Sequence, residues 1–505
     1  MPDSQSPDTP AYARLESRFQ RLNALGEAQE VLHWDMSTVM PRGGHESRAE
    51  QLAELAAVYH GMLTDSETGD LIAAAEADAA DLTDWQQANL REIKRNYVKA
   101  TALSEDLVTR LSRASSACEA VWRDARADND FKAVQPLVTE LLALVREKAA
   151  AKAEVLGVGL YDALLADYEP GGSSAEIDTV FDELEGFLPE FLGEVLDHQA
   201  KTPKVILPDG PFPEEKQKAL GQRFMEMLGF DFHHGRLDVS LHPFCGGTPD
   251  DVRITTRYDD NDFTSALMGV LHETGHAMYE RGLPKDWRGQ PVGHALGMSV
   301  HESQSLLIEM QVCRSKTFLD FAAPIMVDTF GGTGPAWDAD NLFRLYTQVE
   351  RSFIRVDADE VTYPAHVILR YRLEKALIEG DMETPDLPGA WNDGMERLLG
   401  IRPPTDTLGC LQDIHWYDGA WGYFPTYTLG AMTAAQLYAA ARDQNPEIEP
   451  AIGRGDFAPL MAWLRANVHG KGSLVSAKEL LISATGKPLD PKVFEMHLRT
   501  RYLAA

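Results

Sequence analysis

Apolar residues recur at three- and four-residue steps along most of the chain. Leu15, Phe19, Leu22, Leu25 and Ala28 set this period near the start, and such a stripe lines one face of an α-helix. Residues 83–126 and 130–166 repeat it in sequence rich in Ala, Leu, Glu, Arg and Gln, which are good helix formers. Glu169-Pro170-Gly171-Gly172 breaks the last run, and Ser173-Ser174-Ala175-Glu176 reads as a capping box that starts a new helix. No self-similarity with a period of roughly 20–50 residues is visible, which argues against a solenoid.

Residues 201–213 hold four prolines and form the best candidate boundary. This divides the chain into a disordered arm (1–10), an N-terminal helical region (11–200) and a second region (201–505), the two regions forming one continuous structural unit. Beyond the boundary the texture changes. In residues 237–258, LDVSLHPFCGGTPDDVRITTRY, two short alternating runs flank Gly246-Gly247-Thr248-Pro249, the pattern of a β-hairpin. Helical patterning returns at Asp262 and continues, with loops at 282–293, 331–335 and 403–406, to the end. The prediction is a mainly α protein with one small antiparallel sheet.

Composition narrows the function. Hydrophobic residues at 44% and charged residues at 25% are globular values, so general disorder is excluded. With 78 acidic residues against 47 basic, the net charge is −31. Such a surface repels phosphate backbones and anionic lipid, which argues against nucleic-acid and membrane partners. The first ten residues lack the basic and apolar parts of a signal peptide. Cys118, Cys245, Cys313 and Cys410 have neither metal-knuckle nor redox spacing. Reduced thiols and a cytoplasmic location are expected.

Candidate chemistry lies in the helical run from Phe263, where His272-Glu273-Thr274-Gly275-His276 is an H-E-x-x-H sequence. Histidines at i and i+4 share a helix face and can reach one divalent ion, and Glu273 can hold a water on that ion and take its proton. The bland alternative is a pair of polar histidines beside the core stripe Leu267, Val270, Leu271 and Met278. A catalytic site needs a third ligand. Glu280 lies eight residues from His272, about 12 Å along the axis, too far to share the ion. The candidates elsewhere are His294, His301, Glu302 and Glu309. Ser299-x-x-Glu302 is itself a capping-box pattern, so these residues alone leave Glu302 open between ligand and cap.

Further blocks occur with this one. His242-Pro243-Phe244, Asp251-Val252-Arg253-Ile254-Thr255, His301-Glu302-Ser303-Gln304, Ile354-Arg355-Val356-Asp357-Ala358-Asp359 and Gly409-Cys410-Leu411-Gln412-Asp413-Ile414-His415-Trp416 follow in order. They resemble the HPF, DxRxT, HESQ, IRxxAD and GxxQDxHW blocks of the carboxypeptidase Taq family of zinc metallocarboxypeptidases. Trp34-Asp35 with Met40-Pro41, and Gly422-Tyr423-Phe424-Pro425-Thr426-Tyr427, resemble its first and last blocks. The similarity spans about residues 10–500.

The resemblance implies a large helical body with a deep groove and a zinc site, cobalt being an alternative metal. His272, His276 and Glu302 would be the metal ligands and Glu273 the general base. Arg355 would grip the substrate's terminal carboxylate, with Arg253 near the closed end of the groove and His242 also on the substrate side. His415, Tyr423 and Tyr427 would stabilise the oxyanion. Without the family, Arg355 and Asp359 have the spacing of an i,i+4 ion pair on a helix surface, and Arg253 that of a charge guarding an edge strand. Trp34 and Trp416 read as packing residues. Single residues would be removed from peptides with a free C-terminus, with broad specificity, by a cytosolic homodimer. The rivals are a helical zinc endopeptidase or dipeptidyl carboxypeptidase, and a non-catalytic peptide-binding protein.

Overall fold

The computed structural model describes residues 10–503; the expected arm over 1–10 therefore lies, apart from Pro10, outside the described residues. Among the described residues there are 21 α-helices and one three-stranded sheet. The stripe of the first helix, Ala11–Thr38, is buried at Leu15, Phe19 and Leu22, together with Tyr12 and Trp34. The long helical runs are cut by their own caps. Thr83 and Gln86 form a capping box ahead of Asp84–Thr101, Ser104 caps Glu105–Asp128, and Asp130 caps Phe131–Leu156. The capping box expected at Ser173 does not form. Its side chain makes no cap bond, and the Ser174 amide donates instead to Asp162 at 2.7 Å.

The sheet corrects the expectation of an antiparallel hairpin. It comprises β1 (Gly235–Val239), β2 (Cys245–Thr248) and β3 (Asp251–Thr256) in the order β1-β3-β2. β2 pairs antiparallel with β3, but β1 pairs parallel with it, Arg236 opposite Arg253. The sheet is mixed. Gly246-Gly247-Thr248, read as the turn, is itself edge strand, and the tight turn falls at Pro249-Asp250. The first alternating run then has to reach the other side of β3, with β2 inside the crossover.

Among the described residues, three cores hold the helices. One gathers around helix Phe263–Gly282, a second joins residues 118–195 to residues 349–502, and a third lies between Tyr12 and Ile93. Helix Pro425–Gln444 stands between the first two. It gives Ala434, Leu437, Tyr438 and Ala441 to one core and Leu429, Met432 and Ala435 to the other. No helix among the described residues is long and apolar enough to cross a membrane.

Candidate active site

Helix Phe263–Gly282 starts at Asp262, whose carboxylate accepts from the Thr264 amide at 2.8 Å. Leu267, Val270, Leu271, Ala277 and Met278 face the core. Gly275, inside the H-E-x-x-H sequence, lets the short helix Met298–Leu306 cross against this one. A Cβ there would stand 2.5 Å from the Gln304 carbonyl oxygen and 2.6 Å from Ser305 Cα. On the other side of that short helix, a Cβ on Gly430 would stand 2.8 Å from Glu302 Cβ and Cγ. Two missing methyl groups therefore let Glu302 be wedged between the helices. The capping alternative falls away: Gly297 is the cap residue, and the Ser299 amide donates to Glu169 at 3.1 Å.

Glu302 Oε2 lies 3.5 Å from His276 Nε2 and 3.8 Å from His272 Nε2. Ligand atoms at ~2.0–2.2 Å from a tetrahedral zinc stand roughly 3.3–3.6 Å apart, so the three residues fit a divalent ion. The backs of both rings are held. His272 Nδ1 donates to Glu309 at 2.9 Å, and Glu309 is paired with Arg314. Glu309 comes from a π-helical stretch, Leu307–Cys313, a distortion common beside functional sites. His276 Nδ1 lies 2.6 Å from His301 Nδ1, and His301 Nε2 donates to Glu280 at 2.8 Å. Of the four sequence candidates for third ligand, Glu302 faces the two Nε2 atoms. Glu309 and His301 stand behind the rings, and His294 bonds Asn23.

Glu273 is buried at 7% exposure beside this triad. Burial pushes its carboxyl up to about 7, with Glu302 adding to the shift and His272 opposing it. A group that changes charge near neutrality suits both taking and returning a proton. His415 Nε2 lies 3.3 Å from the Tyr427 hydroxyl, and the Tyr423 and Tyr427 rings meet at 5.0 Å. Burial lowers His415 to about 4, helped by Arg355, so its ring is neutral at pH 7. Burial also raises both phenols, which keeps them protonated and able to donate.

Arg355 lies in a 3-10 turn, Arg355–Asp357, and not on a helix surface. Its Nε and Nη2 donate to Asp413 at 3.0 and 2.8 Å, Nη1 donates to Tyr363 at 2.9 Å, and Tyr427 lies 5.0 Å beneath it. Asp359 instead accepts from the Val361 and Thr362 amides. Arg253 sits on the central strand, so the edge-guard alternative fails. It is paired with Asp251 at 2.6 Å and stacked 4.3 Å over Trp34. His242 is exposed in the loop between β1 and β2, its carbonyl accepting from Ser240 at 2.6 Å.

The sequence matches the carboxypeptidase Taq (M32) metallopeptidase family over residues 14–502. The chain belongs to that family. It is 38% identical over 505 residues to thermostable carboxypeptidase 1 of Thermus thermophilus, covering 98% of each chain. It is also 34% identical over 493 residues to carboxypeptidase 1 of Bacillus subtilis, covering 96% of each. Among solved structures, Trypanosoma cruzi metallocarboxypeptidase 1 superposes with a TM-score of 0.96 at 42% identity, over 98% of this chain and 99% of that one. The M32 carboxypeptidase of Deinococcus radiodurans R1 gives 0.91 at 35% identity, over 97% and 98%. The protein is therefore a metallocarboxypeptidase, a peptide-bond hydrolase that works with a divalent metal.

Sequence reasoning missed several supports of this carboxypeptidase's site. Asp413 binds both Arg355 and Arg370, and the Gln412 side chain accepts from the Arg355 amide and from Arg370. Both sit in the sequence block that contains His415, and that proximity is the signal that points to them. Trp34, read as packing, carries two guanidinium groups, those of Arg253 and Arg236, at 4.3 and 4.8 Å. Only the packing of helix Ala11–Thr38 against the sheet reveals that role.

Proposed function

We propose that this metallocarboxypeptidase removes single residues from the free C-terminus of peptides, with broad tolerance of side chain. The ion would be zinc, with cobalt an alternative that the same His₂Glu donors accept, held by His272, His276 and Glu302. The observation that carries the reading is the convergence of these three groups with Glu273 buried beside them. When bound, the ion supplies Lewis acidity for the scissile carbonyl and for the attacking water. Glu273 takes the proton of that water and delivers it to the departing amine. His415, with Tyr427 or Tyr423, donates hydrogen bonds to the oxygen that becomes negative.

Arg355 anchors the terminal carboxylate. A guanidinium has five N–H groups, and Arg355 uses three of them on Asp413 and Tyr363, so two remain for a ligand. Arg355 and Arg370 share the single carboxylate of Asp413, which leaves one local positive charge in a chain of net charge −31. Arg253, fixed by Trp34 and Asp251, forms the groove wall, and His242 meets the peptide at the exposed rim. Four free cysteines favour a cytoplasmic setting, and the family resemblance favours a homodimer.

Arg355→Ala tests the anchor. It should lower kcat/KM for free-acid peptides about 10–100-fold, the loss expected for a charge-assisted pair. Wild-type kinetics would remove Arg355 from this role.

A further inference from the structure

Away from the metal centre, the charges gathered around Asp167 do not balance. Lys99 of helix Asp84–Thr101, and Lys148 and Lys152 of helix Phe131–Leu156, all converge on Asp167. Their Nζ atoms lie 3.1, 3.3 and 2.5 Å from its carboxylate. Among the described residues, Asp167 is the only carboxylate within salt-bridge distance of any of the three. Three ammonium groups against one carboxylate leave two positive charges, in a chain that carries −31 overall.

Hydrogen bonding is as incomplete as charge. Three ammonium groups carry nine N–H donors, yet the protein acceptors they reach are the Asp167 oxygens and the Ala166 carbonyl. Solvent makes up only part of the shortfall, since the Lys99, Lys148 and Lys152 side chains are 24%, 20% and 6% exposed. Like charges held together with so little water are costly unless another anion joins them. Protonation reflects this. Burial pulls Lys152 down to about 8, with repulsion from Lys148 and Lys99 acting against the pull of Asp167. Burial pushes Asp167 up, but the three lysines outweigh it and hold the carboxyl at about 2.

We infer that Lys99, Lys148 and Lys152 form a second site, separate from the metal centre, that binds one oxyanion group, a carboxylate or a phosphate. Its place in the chain links it to the reaction. The next residue, Tyr168, meets the Tyr423 ring edge-on at 4.9 Å, and its carbonyl accepts from the Met298 amide at 2.7 Å. The one after, Glu169, accepts from Ser299. An anion at the lysines therefore bears on the loop that seats both Tyr423 and the helix carrying Glu302.

The test is thermal unfolding of the metal-loaded enzyme, titrated with inorganic phosphate against chloride at constant ionic strength. Wild type should show a saturable rise in Tm, and a Lys99→Gln/Lys148→Gln double variant should require at least about tenfold more phosphate for it. Both replaced side chains are partly exposed, and a cooperative transition with full metal content in the variant shows that it folds. A second arm compares kcat/KM for free-acid peptides with Glu or Gln upstream of the cut. A Glu-to-Gln ratio that falls about tenfold in the variant identifies an acidic substrate side chain as the ligand. An unchanged ratio with phosphate binding intact in wild type identifies a free anion. The inference is overturned if wild type shows no saturable rise and the ratio is unchanged, or if both proteins respond to phosphate equally.

Discussion

Nδ1 of His272 donates to Glu309 at 2.9 Å, and this bond decides which nitrogen of the ring faces the metal position. With one proton held on Nδ1, Nε2, beside Glu302, is the nitrogen left to give its lone pair once a metal has displaced the other proton. Glu309→Gln keeps the shape and removes the charge. Metal affinity should fall about 10–100-fold, read by competition with a chromogenic chelator. Unchanged affinity would mean that Glu309 only fills space.

Gly275→Ala places a methyl group within 2.5 Å of the Gln304 carbonyl oxygen. Neither backbone can yield without separating the helices that carry His272 and Glu302. The change should cost about 1–3 kcal/mol of stability and weaken metal binding together with it. A lowered Tm with unaltered metal affinity would show that the crossing does not set the ligand spacing.

The three ligands start from different protonation states in the metal-free chain. Burial disfavours the His272 imidazolium, but Glu309 and Glu302 outweigh it and hold the ring up to about 10. Burial takes His276 down to about 4, whereas Glu302, pushed up by burial, is pulled down to about 2 by His276 and His272. At pH 7 only His272 holds a proton that the metal must displace. A raised pKa means that this proton stays bound below about pH 10, so affinity should rise about tenfold per pH unit between about pH 6 and 8. Calorimetry in buffers of different ionisation enthalpy should count about one proton released at pH 7. A count near zero would contradict this assignment.

Local patterns were legible in the sequence, and long-range ones were legible only where a family block carried them. The helices follow from apolar residues at helical spacing, and His272 with His276 from a separation of four. Glu302 needed two close crossings, and the residues that permit them, Gly275 and Gly430, look like any other glycine until their neighbours are in place. The sheet was misread because Gly246-Gly247-Thr248 has turn composition, while strand pairing depends on partners that composition does not name. Arg355 shows the same limit. Its nearby acid, Asp359, caps a turn, and its true partner, Asp413, lies 58 residues further on.

The most direct test of the account is mass spectrometry of two peptides that differ only in a C-terminal carboxylate or amide. Each would be incubated with the enzyme, with and without a chelator, and with metal-loaded Glu273→Gln as control. A ladder of single-residue losses is expected from the free-acid peptide alone, abolished by the chelator and by the control. Internal cuts, dipeptide release or equal cleavage of the amide would contradict it.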